Sequence, residues 1–173
     1  MEAIYKLRGR GARAMSARAN IRRANAADLP RLIHLWRELI GFDEALGGQD
    51  FRLAAGAKDE WERHLRAHVR GPRRTAFLAE SAGRAVGFLL ASLERPAGIF
   101  MEREYGLISA AYVEESLRGK GVGSALVEAA FDWFTEKRAS RVRVSTDAKN
   151  ALGVEFWKHH GFAPTVVTMD RLL

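Results

Sequence analysis

Cysteine is missing altogether from the 173 residues. That removes disulfides, thiolate metal sites and a cysteine nucleophile from consideration. It fits a reducing compartment, so a cytoplasmic location is the expectation. Also missing is any run of about 18 apolar residues, the length a helix needs to cross a bilayer. The N-terminus has no apolar core of the kind a secretory signal carries. Net charge is nearly missing too, once the N-terminus is set apart. The whole chain carries +7, which taken alone suggests nucleic acid. Residues 1–23 hold Lys6, Arg8, Arg10, Arg13, Arg18, Arg22 and Arg23 against Glu2, a net of +6, and the other 150 residues net +1. The basicity belongs to a tail, and the body is balanced. The tail reads as a solvated extension. An arm that touches a partner or RNA, and a natural start at Met15, are the other readings.

What remains is ordinary for one globular domain: 47% apolar and 28% charged residues. The expected division is an extension over 1–19 and a single domain over 20–173. Residues 20–25 (NIRRAN) alternate weakly and predict a short strand. Asp28 or a neighbour caps a helix with Pro30 in its first turn. Leu32, Leu35, Trp36, Leu39 and Ile40 form its apolar face, and Gly41 ends it. Gly47-Gly48 marks a loop. Trp61, Leu65 and Val69 predict a second helix over 57–69. Residues 75–80 and 84–93 read as a hairpin around Ser81-Ala82-Gly83. Residues 95–104 read as a loop, and Tyr105 to Val113 as a strand buried on both faces. Val122, Leu126, Ala129 and Trp133 make a helical stripe. Residues 141–145 alternate as a strand does. Asn150 caps a helix ending near His160, and 162–173 holds a terminal strand or two.

The stretch Leu117-Arg118-Gly119-Lys120-Gly121-Val122-Gly123-Ser124 lies where a strand hands over to a helix. Unpaired N–H groups and the helix dipole favour an anion there, and glycine lets the backbone approach it. A P-loop is excluded, because position 114 is Glu where the first glycine belongs and Gly121 follows the lysine. A dinucleotide fingerprint fits poorly, because position 126 is Leu and the strand is not the first of its unit.

The run Arg118-Gly119-Lys120-Gly121-Val122-Gly123 resembles the R/Q-x-x-G-x-G/A signature of the GNAT N-acetyltransferase superfamily. The run from Asn150 to Phe162, with Phe156-Trp157 and Gly161-Phe162, resembles that family's N-x-x-A-x-x-[FL]-Y-x-x-x-G-F. The likeness covers about residues 20–173. It implies an α/β (α+β by some schemes) GNAT fold. Its central sheet is mixed, mostly antiparallel and six- to seven-stranded, with about four flanking helices. It implies acetyl-CoA as co-substrate, with no metal. The residues it assigns to the cofactor are Ala111, Tyr112, Val113, Arg118, Gly119, Lys120, Gly121, Val122, Gly123, Ser124, Asn150, Phe156 and Trp157.

The implied chemistry is direct attack of a primary amine on the thioester in a ternary complex. The ammonium must lose a proton, the oxyanion must be held, and the sulfur must be protonated. The family's strand amides, here around Ala111 to Val113, would hold the oxyanion. Its usual proton-donating tyrosine is replaced by Trp157, which can polarise the thiolate but supplies no proton; Tyr112 or water is the substitute. An acid eight or nine residues before the arginine is also lacking, since those positions are Ser109 and Ala110. Glu104 is the first choice of base, Glu80 the second, with Glu102, Glu114 and Glu115 the other acids nearby, and a chain of waters is an equal alternative. His64 and His68 stand four apart, but without an HExxH or an acidic third ligand they read as surface histidines. Asp43, Glu44, Asp50, Asp59, Glu60 and Glu62 make the acceptor region acidic, which suits a small cationic amine. Two alternatives stand beside this one. One is a non-catalytic acyl-CoA-binding or sensing module. The other is a protein N-acetyltransferase that uses the basic tail. Membrane and nucleic acid are not expected partners; a homodimer is compatible with the family.

Overall fold

A computed structural model of the chain describes residues 19–46, 53–96, 104–169 and 171. The elements are β1 (Asn20–Arg23), α1 (Leu29–Ala45), α2 (Ala57–Arg70), β2 (Arg74–Ser81), β3 (Arg84–Glu94), β4 (Tyr105–Val113), α3 (Val122–Glu136), β5 (Val142–Val144) and α4 (Ala151–His159). Short 3-10 turns at Ala26–Asp28 and Glu115–Leu117 precede α1 and α3. The strands form one sheet in chain order. The first four pair antiparallel, and β4 pairs with β5 in parallel. The mixed sheet and four helices are as expected. Among the described residues the sheet has five strands rather than six or seven, and residues 162–169 form none. The Gly47-Gly48 loop, Asp50, Glu102 and the basic tail to residue 18 fall outside the described residues.

Two apolar layers flank the sheet. β3 is central and covered on both faces, so its residues are apolar without alternation. Phe88 and Leu90 pack under α1 and α2, and Leu89 and Ala91 pack under α3 and α4. All four are fully buried, and burial stabilises by about 1.5–3 kcal/mol for each of the larger side chains. Among the described residues no helix is long and apolar enough to cross a membrane.

An ion cluster sets the start of α1. Asn25 is not in β1 but caps the turn, its Oδ1 accepting from Ala27 N–H at 2.9 Å. Asp28 accepts from Asn25 N–H at 2.9 Å. It also accepts two 2.8 Å bonds from the Arg22 guanidinium. The same guanidinium reaches both oxygens of Glu80, at 3.0 and 2.7 Å, and Arg31 adds a third cation contact at 2.9 Å. Arg22 holds both carboxyls below their usual range. Glu80 is thereby a strut between β2, β1 and α1. At its other end α1 runs past Gly41 to Ala45. A mid-helix glycine costs about 1 kcal/mol relative to alanine, and the buried Leu32, Leu35 and Trp36 outweigh that.

The histidines of α2 are a correction. His68 is only 2% exposed and His64 is half-buried. Trp36 stacks on Trp61 at 4.9 Å, Trp61 on His64 at 4.8 Å, and His64 lies 4.4 Å from His68. The ladder glues α1 to α2, and spacings of three and four put all three α2 rings on its inner face. His68 Nδ1–H donates to the His64 carbonyl at 3.0 Å. That fixes the neutral tautomer and leaves Nε2 buried without a partner. Burial lowers the His68 pKa to about 4, and burial lowers that of His64 as well. The unfolded chain takes up these protons near pH 6.5, before the folded one does. Stability is therefore full above about pH 6.5 and falls as the pH drops toward 4. His68 alone contributes about 3 kcal/mol to that loss. Urea midpoints measured from pH 7.5 to 4.5 should decline over this window, and His68→Gln should flatten the decline.

Candidate active site

The site begins where two strands part. β4 and β5 pair only over Gly106–Val142, Leu107–Arg143 and Ile108–Val144. Residues 109–113 of β4 continue beside β3 with no ladder to β5, an open length of about 13 Å at ~3.3 Å per residue. Two local causes act. On β4, Leu90 faces Ala110 while Ala91 faces Ile108, so Ser109 is the extra residue of a β-bulge, which bends and re-aims the strand. Beyond β5, the chain turns away. Asp147 accepts from the Lys149 N–H at 2.7 Å, its carbonyl from Asn150 N–H at 3.0 Å, and Asn150 then caps α4.

The bulge also reverses which amides face the opening. Before it, Gly106 N–H points to β5 and reaches the Arg141 carbonyl at 2.8 Å. After it, Glu114 N–H points the other way, to the Val86 carbonyl of β3 at 2.9 Å. Alternation then turns the N–H groups of Ala111 and Val113 toward the gap. Odd-numbered residues thus take over from even-numbered ones.

The glycine loop closes one end of the gap. Gly119 and Gly121 have φ of +70° and +81°, which only glycine adopts without strain. Gly121 is the N-cap of α3 and offers no side chain to its first turn. The N–H groups of Val122, Gly123 and Ser124 therefore have no intrahelical partner. At Gly123 a Cβ would lie 3.1 Å from the Phe156 ring, so the glycine lets α4 pack against the start of α3. Arg118 turns back rather than outward. Its Nε donates to the Val113 carbonyl at 3.0 Å, and its guanidinium lies over Phe42 at 4.4 Å and Tyr112 at 5.6 Å. Lys120 stands exposed on the loop.

The α4 residues split. Asn150 Oδ1 accepts from Gly153 N–H at 2.8 Å, so its cap role is present. Trp157 is buried at 8% exposure, edge-on to Phe156 at 5.0 Å and to Phe162 at 5.4 Å. Its indole is part of the α3/α4 core. Tyr112 is half-buried on the other face of β4, toward α1. Burial raises its pKa above the usual phenol value, against the opposing pull of Arg118. It is therefore a protonated donor throughout the neutral range.

The acids are less well gathered. Glu104 precedes β4 and pairs with Arg73 at 2.7 Å and Arg95 at 3.9 Å. It stands five residues, about 16 Å of strand, from Ser109. Glu114 binds Arg84 through both oxygens, at 2.8 and 3.0 Å. Glu60 and Glu62 pair with Arg63 and Arg66 of their own helix. Asp43 is different. It sits at the end of α1, where burial first and Asp147 second raise its pKa. That end of α1 thus meets Arg118, which follows β4, through Phe42, and Asp43 there feels the charge of Asp147, which follows β5. A polar cleft of about 580 Å³ lies beside it, lined by His34, Glu38, Tyr112, Glu114, Glu115 and Ser116. Phe42, His34 and Glu38 escape a motif search. Extending the apolar period of α1 three residues beyond Leu39 would have marked Phe42.

These features define an acetyltransferase-type architecture. The chain belongs to the Acetyltransferase (GNAT) family, whose model matches residues 43–162. It is 29% identical over 86 residues to an uncharacterized N-acetyltransferase of Methanocaldococcus jannaschii. That match spans 50% of this chain and 38% of the relative, so the chain accounts for well under half of that protein. The fold is shared with a Bacillus halodurans protein solved as a tetramutant (TM-score 0.79, 19% identity, 89% of this chain and 99% of that one). It is also shared with an aminoglycoside N-acetyltransferase solved with CoA (TM-score 0.69, 20% identity, 92% and 97%).

The Arg118 contacts make a specific expectation. If charge alone mattered, Arg118→Lys would bind acetyl-CoA nearly as well as the parent chain. The Nε bond to Val113 and the planar contact with Phe42 cannot be made by an ammonium. Titration calorimetry should show Arg118→Lys weakened at least fivefold, close to Arg118→Ala.

Proposed function

We propose that the chain transfers the acetyl group of acetyl-CoA to a primary amine of a small cationic acceptor, by direct attack in a ternary complex. The observation that carries this reading is the open length of β4 beside the uncapped start of α3. The two together offer inward amides and an anion-favouring helix end on adjoining parts of the chain. On this reading the N–H groups of the Gly119–Ser124 loop hold the pyrophosphate, and Lys120 adds charge. Ala111 and Val113 present amides to the pantetheine arm and the oxyanion. Arg118 holds the loop to β4. Asn150, Phe156 and Trp157 form the α4 wall.

Three steps fall to side chains. The acceptor ammonium must first give up a proton, because its lone pair is needed for attack. Asp43 suits this better than Glu104, because burial raises its pKa above the usual carboxylate value whereas Glu104 is held by Arg73. Attack then places negative charge on the carbonyl oxygen, beside the inward amides. On collapse the thiolate leaves, and Tyr112 is the donor on this wall, since Trp157 has no acidic proton. Asp43, Glu44 and Asp59 near the α1–α2 turn favour a cationic acceptor. The aminoglycoside acetyltransferase neighbour points the same way on acceptor class, through fold alone. A second reading, a non-catalytic acyl-CoA-binding module, draws on the burial of Trp157 and the absence of an acid at Ser109 and Ala110.

Thiol release from acetyl-CoA with a panel of amines separates the two. Cationic amines should turn over and acidic ones should not; cofactor binding without turnover would favour the module. Gly121→Glu should abolish binding. Gly121→Ala, which adds backbone strain of about 1–2 kcal/mol at a φ of +81° without adding charge, should weaken it modestly. Asp43→Asn should lower kcat about a hundredfold with little change in acetyl-CoA affinity, whereas Glu104→Gln should stay within threefold.

A further inference from the structure

The stretch Arg66-Ala67-His68-Val69-Arg70-Gly71-Pro72-Arg73-Arg74 places four arginines within nine residues, in a body that nets only +1. All four line one cleft of about 470 Å³, at the turn from α2 into β2. Small-molecule pockets span about 300–1,000 Å³. None of these residues belongs to the candidate active site. Arg74 opposes Ser92, and Ser92 opposes Leu107, so the cleft is level with the start of β4. The glycine loop follows Val113, which is a further six residues, or about 20 Å, along that strand.

The backbone of the cleft is fixed. Gly71 ends α2, its N–H donating to the Ala67 carbonyl at 3.0 Å, and Arg74 N–H donates to the Gly71 carbonyl at 3.4 Å. Two of the guanidiniums are positioned as well. Arg73 Nη2 donates to the Leu93 carbonyl at 3.1 Å and meets Glu104 at 2.7 Å, and Arg66 Nη2 donates to Glu62. These contacts engage one nitrogen of each, and a guanidinium carries donors on three. Arg70 and Arg74 make no ion pair among the described residues. The charge of Arg74 is felt inside the protein, where, after burial, it is a further cause lowering the pKa of both His64 and His68.

The charge balance points to the ligand. Arg95 lies 3.9 Å from Glu104, so five arginines stand against Glu62, Glu94 and Glu104 around the cleft. The carboxyl end of α2 adds about half a negative charge. A surplus near one and a half positive charges remains, and a phosphate monoester carries about −1.5 to −2 near neutral pH. Planar guanidiniums suit phosphate oxygens in particular. The cleft is larger than a bare phosphate needs, and Ala67, Gly71 and Pro72 give it an uncharged floor. A nucleic-acid backbone asks for a basic track instead. Here the charge reverses on either side, at Glu60 and Glu62 along α2 and at Glu94 and Glu104 along the sheet.

We infer that this cleft binds a small organic phosphate, its phosphate group between Arg70 and Arg74 and its body on the floor from Ala67 to Pro72. The site is separate from acetyl-CoA binding and does not rest on the transfer reaction.

Calorimetry on the Gly121→Glu chain tests this, because that substitution removes the glycine loop as a rival phosphate site. The probes are phenyl phosphate and inorganic phosphate, at pH 8 and constant ionic strength. Phenyl phosphate should bind at one site, about fivefold tighter than inorganic phosphate because of the uncharged floor. Adding Arg70→Gln/Arg74→Gln should weaken it about tenfold or more, with the near-ultraviolet tryptophan spectrum unchanged. Arg70→Lys/Arg74→Lys should stay about threefold weaker than the arginines, since an ammonium has no planar fork. Amide NMR spectra of the parent chain need no variant: the Gly71 and Arg74 signals should move and saturate with phenyl phosphate. Absence of saturable binding overturns the inference. So does an unchanged affinity after Arg70→Gln/Arg74→Gln, or signals that move only at Gly119–Ser124. A single-stranded RNA oligonucleotide that displaces phenyl phosphate and binds more tightly would overturn it too, by making the cleft part of a nucleic-acid surface.

Discussion

The parting of β4 from β5 after Ile108 is the constraint on which the rest depends. A parallel pair that ran its full length would satisfy every amide of β4 and leave nothing for a ligand. One inserted residue, Ser109, prevents that by bending the strand and exchanging the parity of its inward amides. The turn at Asp147–Asn150 completes the opening from the other side. The cost in lost ladder bonds is met by the two apolar layers on the faces of β2 and β3, which also pack against Ala110 to Val113. The sheet is therefore firm where it is central and open where it is used.

Helices then furnish the opening according to their ends rather than their faces. α3 offers its amino end, bare because Gly121 has no capping side chain. α4 packs close because Gly123 leaves room for Phe156. α1 presents its carboxyl end, with Phe42 against Arg118 and the partly buried Asp43 beside it. Tyr112 and Trp157 pack into the layers on opposite faces of the sheet. Burial keeps the phenol protonated in the neutral range, while the indole is part of the core.

The order of elements, the glycine loop and the Asn150 cap were legible from residue type and spacing, because each is a local feature. Gly119 and Gly121 require left-handed backbone, and a run of small apolar residues requires a strand covered on both faces. What the sequence could not show is set by tertiary contact. Gly41 looks like a helix end, yet the packed Leu35 and Trp36 carry the helix through it. His64 and His68 look like surface residues until Trp61 is seen to stack on them. Ser109 carries no mark of a bulge, since register is a relation between two strands. Glu104 lies near the loop in sequence terms, but strand extension carries it far away. The terminal strand expected over 162–173 is not formed by the described residues 162–169, since β-forming composition does not by itself supply a ladder partner.

The helix α1 is pinned at both ends by arginines that belong to other elements. Arg22 of β1 clasps Asp28 at its start, and Arg118 of the loop lies under Phe42 at its finish. It is a beam seated on two bearings, an ion cluster at one end and a single guanidinium under a ring at the other. The second bearing ties the carboxyl end of α1, with Asp43 on it, to the end of β4, because one guanidinium is shared between the Val113 carbonyl and the Phe42 ring.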